Sequence, residues 1–363
     1  MIATYHVTAE AASIEARALG IAVEQSVEMP VEGIDDPGVL EGIVGRVEAI
    51  GEIGPGRFEV RIGLAAETVG GDAGQLFNML FGNTSIQEGV ELVDAELPAG
   101  ILAAHGGPNI GTAGLRARTG AVGRALTSGA LKPQGLPAEG LAAIAGRMAE
   151  GGIDLIKDDH GLADQAYSPF VARVDRVAEA LDGVAARTGK RTLYIPSLSG
   201  NLDDMRGQVR HGMSRGIGAF LIAPVIAGMA TFATLVREFP AVGFMTHPTL
   251  SGIARIAPPL FYGKLFRLLG ADAVVYPNHG GRFGYSTATC LALAANCRAE
   301  WAGKRACLPT PAGGMTVARI PEMLDFYGAD TILLIGGALL ATRERLTREV
   351  AAFVDAVAAH SYR

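Results

Sequence analysis

Gly151-Gly152-Ile153-Asp154-Leu155-Ile156-Lys157-Asp158-Asp159-His160 is the stretch that decides the fold reading. A short apolar run of strand length empties into four consecutive ionisable side chains. Charges placed directly after a core strand are costly to bury unless they meet a partner or a metal. In a parallel barrel the carboxyl ends of the strands face one pocket, and catalytic groups collect there. The stretch therefore predicts a barrel strand whose end opens onto a site.

Working outward, the same pattern of apolar run, Gly/Pro/polar tail and helix-like segment recurs from about residue 126. The runs are Leu126-Leu131, Ile153-Ile156, Thr192-Ile195, Ala219-Ala223, Val242-Met245, Ala273-Tyr276, Ala306-Leu308 and Thr331-Ile335. Helical periodicity falls between them, at Ala138-Ala149, Phe170-Arg187, Leu202-Arg215, Leu260-Leu269 and Arg319-Tyr327. Near-continuous hydrophobic strands alternating with helices predict an α/β fold with a closed parallel (β/α)8 barrel over residues 121–363. An open doubly wound sheet is the alternative. Residues 1–120 differ: Ile43-Ile50 and Arg57-Ala65 alternate like strands, while Ala11-Gln25 and Gly74-Leu80 suit helices. This part predicts a small α+β domain, joined to the barrel through the Gly/Pro-rich segment from His105 to Thr112.

Composition narrows the function classes. Of 363 residues, 49% are hydrophobic and 19% charged, which suits a large globular core. The net charge of −6 argues against a nucleic-acid surface. No charge-free apolar run approaches about 18 residues, so no membrane span is expected. The first ten residues lack a secretory pattern, and three cysteines without CxxC spacing predict free thiols in a reducing cytoplasm.

The tails after the eight runs separate into two chemistries. Gly313-Gly314 and Gly336-Gly337 follow the seventh and eighth runs, where barrels commonly bind phosphate through backbone N–H groups. The early tails carry the ionisable groups. Lys132 and Lys157 are expected on adjacent strands, with Asp159 and His160 beside the second. Mg2+ prefers oxygen ligands: Asp159 offers one, and a lysine amine carbamylated by CO2 offers another. A desolvated lysine can also serve as a base, and a structural ion pair between Lys157 and Asp158 or Asp159 is the competing reading. His247 and His279 are candidate proton carriers.

At these residues the chain resembles the RuBisCO large-chain superfamily, and within it the RuBisCO-like proteins that do not fix CO2. Residues 151–160 match the motif Gly-Gly-x-Asp-x-x-Lys-Asp-Asp-Glu except at the last position. Lys132-Pro133-Gln134 matches Lys-Pro-Lys in two residues, and Ala312-Gly313-Gly314 is similar to Ser-Gly-Gly. Gly82-Asn83 resembles a Gly-Asn of the N-terminal domain, and Glu67 the Glu before its phosphate loop. The resemblance implies a ferredoxin-like N-terminal domain and a homodimer whose sites are shared between subunits, with Asn83 reaching the partner's substrate. It further implies Mg2+ held by carbamylated Lys157, Asp159 and His160. Lys132 becomes the acid/base, His247 a substrate-site histidine, and Gly313, Gly314, Gly336 and Gly337 a phosphate cradle.

The departures from the family pattern matter as much. His160 stands where the third ligand is normally Glu, and imidazole is a poorer Mg2+ ligand than carboxylate. The residues of the second phosphate site are replaced by Pro248, Val275 and Ala312, so ribulose bisphosphate is not the expected substrate. The loop Asn278-Gly284 lacks the carboxylation lysine and carries Arg282 instead. What remains suits enolate chemistry on a singly phosphorylated keto compound. The favoured expectation is decarboxylation of a 3-oxo sugar-acid phosphate (3-oxo-isoapionate 4-phosphate type), because Arg282 suits a carboxylate. The alternatives are a methionine-salvage enolase acting on 2,3-diketo-5-methylthiopentyl-1-phosphate, a 5-methylthioribulose-1-phosphate isomerase, or an inactive metabolite-binding protein.

Overall fold

The computed structural model describes residues 1–362. They form two compact units: Met1–Gly106 with Leu250–Phe261, and Gly107–Thr249 with the residues from Tyr262 onward.

The first unit is built on strands β1 (Ile2–Thr8), β2 (Arg46–Gly54), β3 (Arg57–Gly63) and β4 (Val90–Glu96). They pair antiparallel in the order β2-β3-β1-β4. With a helix after β1 (Ile14–Glu24) and another after β3 (Ala73–Phe81), this is the β-α-β-β-α-β ferredoxin-like arrangement. Alternation explains the burial: Ala3, Tyr5 and Val7 of β1 and Phe58, Val60 and Ile62 of β3 point inward, while their neighbours are more exposed. The sequence shows two strand-like segments here, and the sheet has four. Leu250–Phe261 joins this unit because Leu92 of β4 donates to the Arg255 carbonyl (3.0 Å) and accepts from Ala257 N–H (2.8 Å).

The second unit contains eight parallel strands: β5 (Leu126–Leu131), β6 (Leu155–Asp158), β7 (Leu193–Ile195), β8 (Ala219–Ile222), β9 (Gly243–Thr246), β10 (Ala273–Pro277), β11 (Leu308–Ala312) and β12 (Ile332–Leu334). They form two ladders, β12-β5-β6-β7 and β8-β9-β10-β11. On one side the ladders join where Leu221 N–H donates to Pro196 O and Leu198 N–H to Leu221 O, each at 2.8 Å. On the other side β11 and β12 lie adjacent without a ladder, linked by the Thr331 hydroxyl donating to Pro309 O at 3.0 Å. The sequence supplies the reason: Pro309 and Pro311 have no N–H to give on the side facing β12. The barrel is thus closed in chain order, and its interior holds Leu126, Ala130, Leu155, Ile195, Leu221, Met245, Val275, Leu308 and Leu334.

Two expectations need correction. The domain boundary placed at residue 120 falls instead after Gly106. Helix Gly111–Thr119 belongs to the barrel unit because buried Asp272 accepts the N–H groups of Ile110 (2.7 Å) and Gly111 (2.6 Å). The second strand begins at Leu155 rather than Ile153, because Asp154 leaves the run to accept from Thr127 N–H and hydroxyl (both 2.9 Å) and from Arg124. All three cysteines are free and buried. Among the described residues, no helix is long and apolar enough to cross a membrane.

Candidate active site

The pleat of β6 sorts the charges that open the sequence argument. Side chains alternate along a strand, so Leu155, Lys157 and Asp159 share the barrel-interior face while Asp158 points the opposite way. Asp158 is buried against helix Phe170–Thr188, where its carboxylate accepts from Arg173 Nε (3.0 Å), the Tyr194 hydroxyl (2.7 Å) and Ser197 N–H (3.0 Å). It is an anchor, not a site residue, and it does not pair with Lys157. Arg173 had a sequence signal: it interrupts the buried stripe Phe170, Val174, Val177, Leu181 of an amphipathic helix.

Lys157 is 2% exposed, and its ammonium donates to the Asp158 carbonyl at 2.8 Å. Burial pushes its amine down from 10.5 to about 8; the Asp159 charge opposes this and Lys132 reinforces it. Lys132, one residue beyond β5, forms an ion pair with Asp159. His160 Nδ1 stands 3.4 Å from the same carboxylate oxygen. Burial alone would raise the Asp159 carboxyl, but hydrogen bonds from His160 and Lys132 and the nearby cations hold it below the usual carboxylate range.

His247 follows β9 and continues its register, donating N–H to Ile222 O at 2.8 Å. Its ring stacks on His160 with centroids 4.2 Å apart and planes 13° from parallel. Its Nδ1 meets the hydroxyl of Thr249, which the sequence had not singled out. Burial first, then the charges of Lys157 and His160, keeps this imidazole from protonating in its ordinary range. Lys132, Lys157, Asp159, His160 and His247 thus form one continuous cluster at the strand ends.

The glycines fall into two settings. Gly336 abuts Lys132: a Cβ placed on it would lie 3.9 Å from Lys132 Cε and 3.5 Å from Ala130 Cβ. It precedes the four-residue helix Gly337–Leu340. Gly313 and Gly314 adopt φ of +85° and +84°, which favours glycine. They do not start a helix directly, because extended Thr316 and a turn at Val317–Arg319 come first. They are instead pressed by the loop after β10. A Cβ on Gly281 would stand 2.0 Å from Gly313 O, and the Phe283 ring comes within 3.1 Å of where a Gly313 Cβ would be.

Other candidates stand apart from the cluster. Arg282 is exposed, its guanidinium over the Phe283 ring at 5.4 Å. The His279 ring packs on Phe326 (centroids 4.4 Å), and its Nε2 is buried without a partner, so it is not one of the clustered proton carriers. Asn83 lies exposed in the first unit, donating to Glu24 (2.9 Å) and Glu28 (3.0 Å). Its turn is held by buried Gln25, which accepts from Thr84 N–H (3.1 Å) and donates to Asn78 O and Met79 O. Among the described residues, no three His, Cys, Asp or Glu side chains are gathered as a ready ligand set for a metal.

Residues 111–344 match the model of the ribulose bisphosphate carboxylase large chain, catalytic domain. The chain belongs to the RuBisCO large-chain family. Within that family its similarity is to RuBisCO-like proteins. It is 64% identical over 357 residues to the 5-methylthioribulose-1-phosphate isomerase of Rhodospirillum rubrum, covering 98% of this chain and 96% of the relative. The crystal structure of a RuBisCO-like protein from Rhodopseudomonas palustris superposes with a TM-score of 0.93 at 53% identity, covering 100% of this chain and 98% of that one. A 2,3-diketo-5-methylthiopentyl-1-phosphate enolase of Geobacillus thermodenitrificans is 29% identical, across 90% of this chain and 83% of the relative. These relatives favour the isomerase and enolase expectations over the sugar-acid decarboxylase.

Proposed function

We propose that this RuBisCO-like protein is a 5-methylthioribulose-1-phosphate isomerase. The observation that carries the reading is the 64% identity to the Rhodospirillum rubrum isomerase, spread over nearly the full length of both chains. Moving the carbonyl of a ketose phosphate requires removing a proton from a neighbouring carbon, stabilising the enolate oxygen, and returning a proton elsewhere. The cluster suits that work. Lys132, paired with Asp159, is the acid/base beside the enolate, and His247 is a neutral imidazole within the same group. One phosphate fits the backbone at Gly336-Gly337, next to Lys132, and the family resemblance adds Gly313 and Gly314 to the cradle. A second phosphate finds Pro248, Val275 and Ala312 in place of donors.

The donor set also fits a divalent cation. Only a neutral amine reacts with CO2, and burial moves Lys157 toward that form. The resulting carbamate adds carboxylate-like oxygens beside Asp159, giving an oxygen-rich set suited to Mg2+ with His160 as the third ligand. When bound, the ion supplies Lewis-acid polarisation of a carbonyl oxygen. We further propose a homodimer in which exposed Asn83 serves the partner's site; Ile86, on the same turn, is 79% exposed and offers apolar surface to bury.

The test is NMR of 5-methylthioribulose 1-phosphate with the CO2- and Mg2+-treated protein in D2O. Conversion to a positional isomer with the phosphate retained is expected, and Lys157→Ala abolishes it. Absence of turnover on this substrate, with enolisation of the diketo phosphate or CO2 release from a 3-oxo sugar-acid phosphate, overturns the assignment.

A further inference from the structure

The parallel ladder fixes which side chain of β7 meets the site. Lys157 of β6 pairs with Ile195 of β7, so two residues further on Ser197 stands level with Asp159. Ser197 is also bridged to Leu221 of β8, and Ile195 and Leu221 both belong to the barrel interior. Partners across a parallel pair share a face, as do residues two apart on one strand. The Ser197 side chain therefore points into the barrel mouth beside Asp159, while its main-chain N–H is spent on the outward Asp158 carboxylate at 3.0 Å. By the same alternation Ala223 follows interior Leu221, and His247 follows interior Met245. Ser197 and Ala223 thus line the mouth between Asp159 and His247, and of these two only Ser197 carries a polar side chain. Ser197 is 5% exposed, and among the described residues its hydroxyl makes no hydrogen bond. It keeps solvent access, unlike the sealed oxygen of Ser168. It is a donor and acceptor that the fold does not use, facing the cluster.

We propose that Ser197 binds a hydroxyl group on the carbon chain of the substrate and so sets specificity for a hydroxylated keto phosphate. The proposal deepens the isomerase reading and rests on it for the substrate. Strand order β12-β5-β6-β7 sets Gly336, Lys132, Asp159 and Ser197 in succession around the mouth. A phosphate at Gly336-Gly337, with the carbonyl at Lys132 and Asp159, directs the rest of the chain to Ser197. A 5-methylthioribulose chain carries hydroxyls beyond its carbonyl, whereas a 2,3-diketo-5-methylthiopentyl chain carries none. A site that pairs a substrate hydroxyl discriminates against a chain lacking it, because the protein group is then left without its partner.

Calorimetric titration of the full chain, treated with CO2 and Mg2+, tests the assignment. The probes are 5-methylthioribitol 1-phosphate, which lacks the carbonyl and cannot isomerise, and its 3-deoxy and 4-deoxy counterparts. Ser197→Ala is expected to weaken binding of the full polyol by about tenfold. One of the two deoxy probes is expected to bind wild type about tenfold more weakly than the full polyol does, and to bind Ser197→Ala no worse than wild type. The melting temperature should not change, because the substitution removes no hydrogen bond within the fold. Equal affinity of wild type and Ser197→Ala for all three probes, or an equal loss on all three, overturns the proposal. A wild type that binds none of them overturns it as well, and turnover of 5-methylthioribulose 1-phosphate, measured separately, tells whether the isomerase reading falls with it.

Discussion

Lys157→Met separates what the buried lysine costs the fold from what it does in the site. In CO2-free buffer the amine is held at about 8 against an ordinary 10.5. Each unit corresponds to about 1.4 kcal/mol, so keeping the ammonium buried costs about 3 kcal/mol below pH 8. Methionine is similar in length and carries no charge. Loss of the 2.8 Å hydrogen bond to the Asp158 carbonyl offsets about 1 kcal/mol of the gain. The variant should therefore be more stable than wild type by about 2 kcal/mol at pH 7. The sign follows from linkage: the folded amine binds its proton more weakly than the unfolded one, so wild-type stability rises as pH climbs from about 8 toward 10.5, and the advantage of methionine shrinks across that window. Urea unfolding at a series of pH values between 7 and 10 measures it. Adding CO2 and Mg2+ should stabilise only the wild type. A methionine variant less stable than wild type at pH 7, or a difference that does not change with pH, refutes the reasoning.

Arg173→Met leaves Asp158 buried without its cation and is expected to lower unfolding stability by about 3–5 kcal/mol, with Asp158→Asn in the same chain recovering part of the loss. Gly281→Ala forces the loop after β10 away from Gly313 O, and a KM for the phosphorylated substrate higher by about tenfold (~1.4 kcal/mol) is expected with a small change in melting temperature. Lys132→Ala removes a cation from Asp159. Its carboxyl, held below the unfolded value in the wild type, contributes stability at neutral pH that disappears as pH falls through the acid range. The variant should lose less stability on acidification, while turnover drops by about 10²–10⁴.

Much of the architecture is legible because parallel strands buried on both faces are spelled as uninterrupted apolar runs. Leu126–Leu131 shows its bounds directly in the sequence. The errors have local causes. Asp154 sits inside an apparent run yet serves as a staple to Thr127 and Arg124, which shortens β6. In β1, small Ala3 dilutes the alternation that Tyr5 and Val7 carry, so the strand is inconspicuous. The site was legible in its lysines and Asp159, because charges after a core strand stand out against their surroundings. Partners far apart in sequence were not. No local pattern links Asp158 to Arg173 or stacks His160 on His247.

The Lys-Asp-Asp run works because its members face opposite ways. The period of a strand is two residues, so a slip of β6 by one position would carry Lys157 to the helix side and Asp158 into the barrel interior. That register is opposed strongly. Asp158 satisfies Arg173, Tyr194 and Ser197 together, and a misplaced Lys157 would meet Arg173 as a like charge without solvent. The outward carboxylate therefore does for the site what it cannot do chemically: it fixes the register that aims a destabilising amine and Asp159 at the same pocket. Exchanging Asp158 for a neutral residue should accordingly disturb Lys157 and Lys132 chemistry even though Asp158 touches neither the substrate cradle nor Asp159's carboxylate. The Lys157 ammonium donates to the main-chain carbonyl of Asp158 at 2.8 Å, so a shift of the backbone that the Asp158 carboxylate anchors moves the acceptor of Lys157 with it.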